Sequence, residues 1–420
     1  MRFMKLVFGA LVTGALVFPM VRPSAPKPTC ATDNAGLTLP PGFCALIVAD
    51  TEPGPRHLVV APNGDIFVGL ARGGVLALRD TNGDGVADVQ ARFGSGSTTG
   101  VALANGFLYY SPNNAVIRFA WKVGDLTPKG PPDTIVKDLP AGGNHRAKSI
   151  AVSGAALYVN FGSATNACQT EDRTFGSPGI DPCVERDVRA GIWKFDANKH
   201  GQTPADGQHF AAGIRNTVAL TVRPDGQLFG VAHGRDQLNV IAPTSFNDTA
   251  SAEKPSEIFM HLVAGQDYGW PYCYHDPAQN KTVLAPEYGG DGKQVGRCAT
   301  VTQPLMGFPA HWAPDGITFY GGTQFPAKFR GGAFIAFHGS WNRAPLPQQG
   351  YKVVFVPFSG NTPSPSYETF ADGFGGANVA VGAALHRPVG LAVGPDGSLY
   401  VTDDQSNTGG RIYRIMYRGR

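Results

Sequence analysis

Three segments place a polar or basic side chain just before a short apolar run. GGNHRAKS (142–149) sets His145 ahead of SIAVSG. AAGIRNTVALTV (211–222) sets Arg215 and Asn216 ahead of VALTV. ALHRPVGLAV (384–393) sets Arg387 ahead of VGLAV. A neutral imidazole can take a proton, and guanidinium groups can hold an anion or stabilise developing negative charge. Taken singly, such a histidine is more often structural and such an arginine is usually a salt-bridge partner. If the three runs are equivalent strands of a radial repeat, the three side chains meet at one axis. Two further motifs follow apolar runs: His338, Trp341, Asn342 and Arg343 in FHGSWNRAP, and His233, Gly234, Arg235 and Asp236 in AHGRDQ. Loops at strand exits often carry binding and catalytic groups.

The segment DTNGDGVAD (80–88) puts Asp80, Asn82 and Asp84 at alternate positions and Asp88 four residues on, with Gly85 at the sharp turn. That is how a calcium loop begins, although Ala91 stands where a bidentate Glu would close it. The same residues also favour an ordinary solvated turn. There is no Gly-rich phosphate loop, no H-E-x-x-H, no G-x-S-x-G elbow and no C-x-x-C-H. Their absence argues against a nucleotide-dependent enzyme, a zinc protease and an α/β-hydrolase.

The elements that must position these groups are short strands. A Gly-containing turn followed by an apolar-aromatic run recurs six times, at 62–70, 104–111, 153–162, 223–232, 329–339 and 394–404. Asn-Gly and Asp-Gly steps suit hairpins. Five copies are preceded by another short apolar strand. Strand, turn, strand at intervals of about 40 to 100 residues marks an all-β propeller, here with six blades. CALIVADT (44–51) and RIYRIMYR (411–418) can share the last blade and close the ring, which removes exposed sheet edges. The longest insertion, 240–326, is expected to shape a pocket.

Composition agrees. Of 420 residues, 55 are Gly and 34 Pro, 42% are hydrophobic and only 16% charged, with a net charge of +3. No basic tract suggests nucleic acid as a partner. Arg2 and Lys5, the apolar stretch 6–20 and small residues near Ser24 and Ala25 read as a signal peptide over 1–25. A short Pro-rich linker (26–38) and the propeller domain (39–420) are expected to follow. No second long apolar stretch occurs, so no membrane span is expected in the mature protein. The six cysteines form sequence-local pairs, Cys30 with Cys44, Cys168 with Cys183 and Cys273 with Cys298. Behind a signal peptide these favour disulfides and a periplasmic or secreted protein.

In GGNH, GIRN, HGRD, DYGWPYC, HGSWNR and RPVGLAVGPDGSLYVTDD the sequence resembles the soluble quinoprotein glucose/sorbosone dehydrogenases, and most closely their sorbosone and pyranose branch. The resemblance runs from about residue 39 to the C-terminus. It implies a six-bladed propeller with pyrroloquinoline quinone (PQQ) and calcium at the mouth, oxidising a sugar or sugar-like alcohol or aldehyde. It implies that His145 is the general base and that Arg215 lies beside the quinone oxygens. Asn216, Arg343, Arg387 and Trp341 would contact the cofactor, and the main-chain carbonyls of Gly234 and Arg235 would hold the calcium. Electrons would leave to a separate acceptor. Asn144 stands where the family has Asp, and Trp312 is displaced from the position of the stacking aromatic. The competing readings are a metal-dependent propeller lactonase, which needs inward carboxylates, and a non-catalytic binding propeller.

Overall fold

The computed structural model describes residues 1, 28–51, 54–377, 379–404 and 410–419. The expected signal segment lies outside the described residues, apart from Met1. Each of the six turn-strand repeats folds as the hairpin between the first and second strands of a four-stranded antiparallel unit. Blade I is Pro55–Val60, Ile66–Leu70, Val75–Arg79 and Val89–Phe93. Blade II is Thr98–Ala104, Phe107–Pro112, Val116–Ala120 and Asp133–Val136. Blade III is Ile150–Ser153, Ala156–Phe161, Gly191–Asp196 and Gln208–Ala212, extended by Gln266–Asp267 in parallel. Blade IV is Ala219–Val222, Leu228–Ala232, Glu257–Leu262 and Met306–Phe308. Blade V is Pro314–Phe319, Ala333–Phe337, Lys352–Val356 and Glu368–Ala371.

Blade VI closes the ring as the sequence suggests. It joins Pro388–Val393, Leu399–Asp403 and Gly410–Tyr417 to Phe43–Thr51, with Phe43 opposite Tyr417 and Ala45 opposite Ile415. Phe43 meets Phe325, Phe329 and Phe370 edge-on, at centroid distances of 4.8, 5.4 and 5.1 Å. Residues 30–38 are packed on the propeller. Leu37 is in the core, and Thr38 bridges Asp372. All three expected disulfides are present. Among the described residues no helix is long and apolar enough to cross a membrane.

The first strand of each blade lines the axis. Away from the mouth these strands enclose a channel of about 390 Å³, walled by Leu58, Val101, Ile150, Leu220, Ile317 and Leu391 with their neighbours. Inner strands approach so closely that glycine is required: a Cβ on Gly316 would lie 1.9 Å from Val389 O, and one on Gly390 2.5 Å from Arg56 O. Buried hydroxyl and amide groups latch one blade to the next. Ser111 donates to Lys148 O at 2.5 Å, and Thr217 N donates to Asn160 Oδ1 at 3.1 Å. Thr402 donates to Arg56 O at 2.6 Å while accepting from Gly390 N at 2.8 Å.

Thr402→Val keeps the shape and leaves a buried carbonyl and amide without that partner. It is expected to cost about 1–3 kcal/mol, read as a lower midpoint in urea unfolding. An unchanged midpoint would remove the latch from the account of ring stability.

Candidate active site

All six inner strands begin at one mouth. In blades I, II, V and VI the first strand carries a register irregularity at this end, between Pro55 and Leu58, Thr98 and Gly100, Pro314 and Gly316, and Pro388 and Leu391. A bulge re-aims a side chain out of the alternating pattern. Arg56, Thr99 and Asp315, which sit in three of these bulges, line the mouth. Blade III contributes His145, blade IV Arg215 and Asn216, and blade VI Arg387. The cavity they enclose measures about 780 Å³ and is also lined by Arg146, Arg173, His233, Gly234, Asp236, Glu257, His311, His338, Trp341 and Asn342. The three entrances singled out in the sequence therefore do converge, and three more join them.

His145 sits in a defined hydrogen-bonding frame. Its Nδ1 lies 2.9 Å from both the carbonyl oxygen and the hydroxyl of Ser163. That hydroxyl donates to Thr165 O at 2.6 Å, so it accepts from the ring. Two acceptors on Nδ1 place the proton there and leave Nε2 with a lone pair. Burial, then the positive charge of Arg215 and His233, pushes the His145 pKa well below the ordinary value, with Asp236 opposing. The ring is therefore a neutral proton acceptor near neutral pH.

The other three cavity histidines differ. His233 Nε2 lies 3.0 Å from Pro314 O and 3.1 Å from Asp315, His311 Nε2 lies 2.8 Å from Ser251 O, and His338 Nε2 pairs with Asp404. Burial opposes protonation of His233, but Asp315 outweighs it and raises its pKa.

Carboxylates lie in and beside the wall, Asp236 of the HGRD motif among them, and each is engaged. Asp236 accepts from Arg215 at 2.8 Å and from Arg173 and Asn342 at 2.9 Å each. Asp315 and Asp404 share Arg56, at 3.3 and 2.5 Å. Burial raises the pKa of Asp236 and Asp315, yet Arg215 and Arg56 respectively overcome it and hold both carboxyls ionised. Glu257 accepts from the main-chain amides of Gly234 at 2.8 Å and Ala313 at 3.3 Å. No group of three or more His, Cys, Asp or Glu side chains suited to a metal ion occurs among the described residues.

Among the described residues Arg387 donates to main-chain carbonyls alone, those of His338 at 2.9 Å and Gly339 at 2.6 Å. Asn216 accepts from Asn160 at 3.1 Å. Trp341 is 49% exposed in the cavity wall, a free aromatic face at the mouth.

Arg343 departs from its expected place. It turns out of the cavity and is buried, donating to the carbonyls of Ala252 at 2.7 Å, Ala310 at 3.0 Å and Pro347 at 3.2 Å. It caps a corner after the HGSWNR turn. Arg235 likewise turns its side chain away, to Glu287 at 2.5 Å, while Gly234 remains in the wall with its carbonyl accepting from Arg215 at 2.9 Å. Trp312 is buried in the core.

The 80–88 segment lies away from the mouth as a chain of turns. Asp80 accepts from the amides of Gly83 and Gly85 at 2.7 and 2.8 Å, Asn82 from Asp84 N at 2.8 Å, and Asp88 from Thr81 Oγ1 at 2.7 Å.

A close approach with no signature in the sequence completes the site. A Cβ on Gly162 would lie 2.5 Å from His145 Cβ and 2.8 Å from Asn216 Oδ1, so only glycine lets the imidazole and amide sit side by side.

The sequence model of the TrAA12-like family matches residues 37–417. The chain belongs to the TrAA12-like family. It is 27% identical over 283 residues to the pyrroloquinoline quinone-dependent pyranose dehydrogenase of Coprinopsis cinerea, covering 57% of this chain and 36% of that one. It is 31% identical over 209 residues to an uncharacterized protein of Borreliella burgdorferi, covering 49% of this chain and 48% of that one. The chain thus spans less than half the length of either relative. The calcium structure of the Trichoderma reesei family AA12 enzyme shares the fold at TM-score 0.73 and 20% identity, covering 94% of this chain and 99% of that one. The holo PQQ domain of the Coprinopsis cinerea pyranose dehydrogenase does so at 0.71 and 20%, with the same coverage. At these identities the likeness is one of fold.

Histidine NMR of the protein is expected to show His145 neutral well below pH 6.5 and His233 titrating above its ordinary value. A His145 midpoint at or above 6.5 would contradict the hydrogen-bonding frame described.

Proposed function

We propose that this protein is a PQQ-dependent oxidoreductase acting on a sugar or sugar-like alcohol or aldehyde of the aldose, pyranose or sorbosone class, with His145 as general base. The observation that carries this is the Nε2 of His145, presented with its lone pair to a cavity rich in arginine. Family membership and the pyranose dehydrogenase relative support the cofactor class.

The donor set suits a small polyanion. Among the described residues five arginines line the wall against three carboxylates, and the carboxylates are themselves engaged. The volume lies within the range of small-molecule sites, about 300–1,000 Å³. Arg387, bound only to carbonyls, has a guanidinium open to a cofactor carboxylate, and bidentate pairing suits that chemistry. Arg215, fixed by Asp236, Gly234 and Asn166, would supply positive charge to stabilise the negative charge that a quinone gains on reduction. Asn216 can donate its amide to the cofactor, and Trp341 offers a face for ring contact.

When bound, pyrroloquinoline quinone accepts the hydride from the carbon bearing the hydroxyl. His145 Nε2 takes the hydroxyl proton as that carbon becomes a carbonyl, and Ser163 keeps the ring in the tautomer that can do so. A base held this way contributes about 10²–10⁴-fold in rate. Calcium is the finer part of the proposal. Its main-chain ligands would be the carbonyls of Gly234, whose amide is fixed by Glu257 and whose oxygen keeps a second lone pair beside Arg215, and of Arg235. Export to the periplasm or medium is supported by the three disulfides, and electrons leave to a separate acceptor.

The purified protein, reconstituted with PQQ and calcium, is expected to reduce a redox dye with members of an aldose panel. His145→Ala should lower turnover by at least about 10²-fold while binding the cofactor, and Arg387→Ala should weaken cofactor binding. Because the base must be neutral and its pKa is depressed, kcat/KM should hold as pH falls from 7 to below 6. No dye reduction with any sugar, or full activity in His145→Ala, would overturn the reading.

A further inference from the structure

The loop carrying His145 has no regular structure between residue 137 and the strand that opens at Ile150. Two buried cations grip it from beneath. Lys148 is fully buried, and its Nζ donates to Pro140 O at 2.9 Å and Arg146 O at 2.8 Å. Arg189, also buried, donates from Nη1 to Gly142 O at 2.6 Å and from Nε to Gly162 O at 2.8 Å, with Nη2 3.5 Å from His145 O. Neither forms an ion pair among the described residues. Burying a cation without a carboxylate is costly, and an apolar side chain of similar volume would serve stability better. Their placement therefore points to position. Burial, with Arg189 adding to it, pushes the Lys148 ammonium down to about 7, which reflects how dry the underside of the loop is.

Resting on the reading of His145 as base, we propose that Lys148 and Arg189 are positioning residues. By holding the carbonyls of Pro140, Gly142, His145, Arg146 and Gly162 they keep the imidazole on Ser163 and out of water. The charged groups facing His145 are Arg215, His233 and Asp236, and Glu185 faces Arg189. Glu185 adds a third support by accepting from Thr165 N at 3.3 Å and Thr165 Oγ1 at 2.7 Å, beside the Ser163 acceptor.

The test uses Lys148→Met, with Lys148→Arg as the conservative rescue. Lys148→Met should melt cooperatively and bind PQQ as the parent does. Its kcat should fall by about 10–100-fold at little-changed KM, since a small misplacement of a reacting group costs that much. In the cofactor-free protein its His145 titration midpoint should rise by about one pH unit as water reaches the ring. Lys148→Arg should restore both. If Lys148→Met does not fold, Arg189→Lys is measured in the same way. A folded variant whose His145 midpoint matches the parent overturns the proposal, whatever happens to kcat. Because that midpoint is read without cofactor or sugar, an absence of dehydrogenase activity leaves this test intact and counts only against the proposed function.

Discussion

The contact on which the site depends is the hydrogen bond from His145 Nδ1 to the Ser163 carbonyl. A carbonyl can only accept, so one main-chain oxygen decides which ring nitrogen is protonated and which faces the cavity. Around it, Gly162 allows the ring to lie against Asn216, and the next residues along, Ala164 and Thr165, are held by Glu185. The cavity supplies the opposite requirement, that the ring remain uncharged. Burial meets it first, and Arg215 adds to it by standing close enough to penalise an imidazolium while its own charge is shared with Asp236.

Burying so many ions at one mouth carries a large desolvation cost, and pairing alone seldom repays it. The network answers by sharing. Arg56 serves two carboxylates from blades V and VI, and Asp236 gathers Arg173, Arg215 and Asn342 from separate insertions and blades. Every carboxylate in the wall is bound to a partner on a different blade or loop, so the ions that set the electrostatics also tie the blade entrances together. A lactonase-like cation site would require several of these oxygens to turn inward as a set. Their commitment to arginine and amide donors favours an anionic guest.

Sequence made the fold legible wherever a glycine turn preceded an aromatic strand, which is the hairpin of every blade. It failed for the inner strand of blade V. Pro314, Asp315 and Gly316 are residue types that turns favour, yet the glycine is there because Val389 O passes too close for any side chain. The same confusion hid Asp315. Arg56 and Thr99 were hidden differently: their bulges break the alternation from which facing is inferred. Ser163 and Gly162 act through main chain and through absence of a side chain, and neither leaves a mark in residue type. Arg343 was misplaced because its motif runs around a corner, and three consecutive residues there, Trp341 to Arg343, do not share a direction.

The closing of blade VI has a consequence for how the chain is made. Phe43–Thr51 is synthesised before the strands of the other five blades, and its partner Gly410–Tyr417 after all of them. Until then an apolar strand with unsatisfied amides stays open, available to any passing edge, while five blades assemble beside it. A ring fastened by its two ends has its slowest contact, the one of greatest sequence separation, as its final one. The polypeptide must therefore be kept from associating with its neighbours until the eight-residue strand Gly410–Tyr417 arrives.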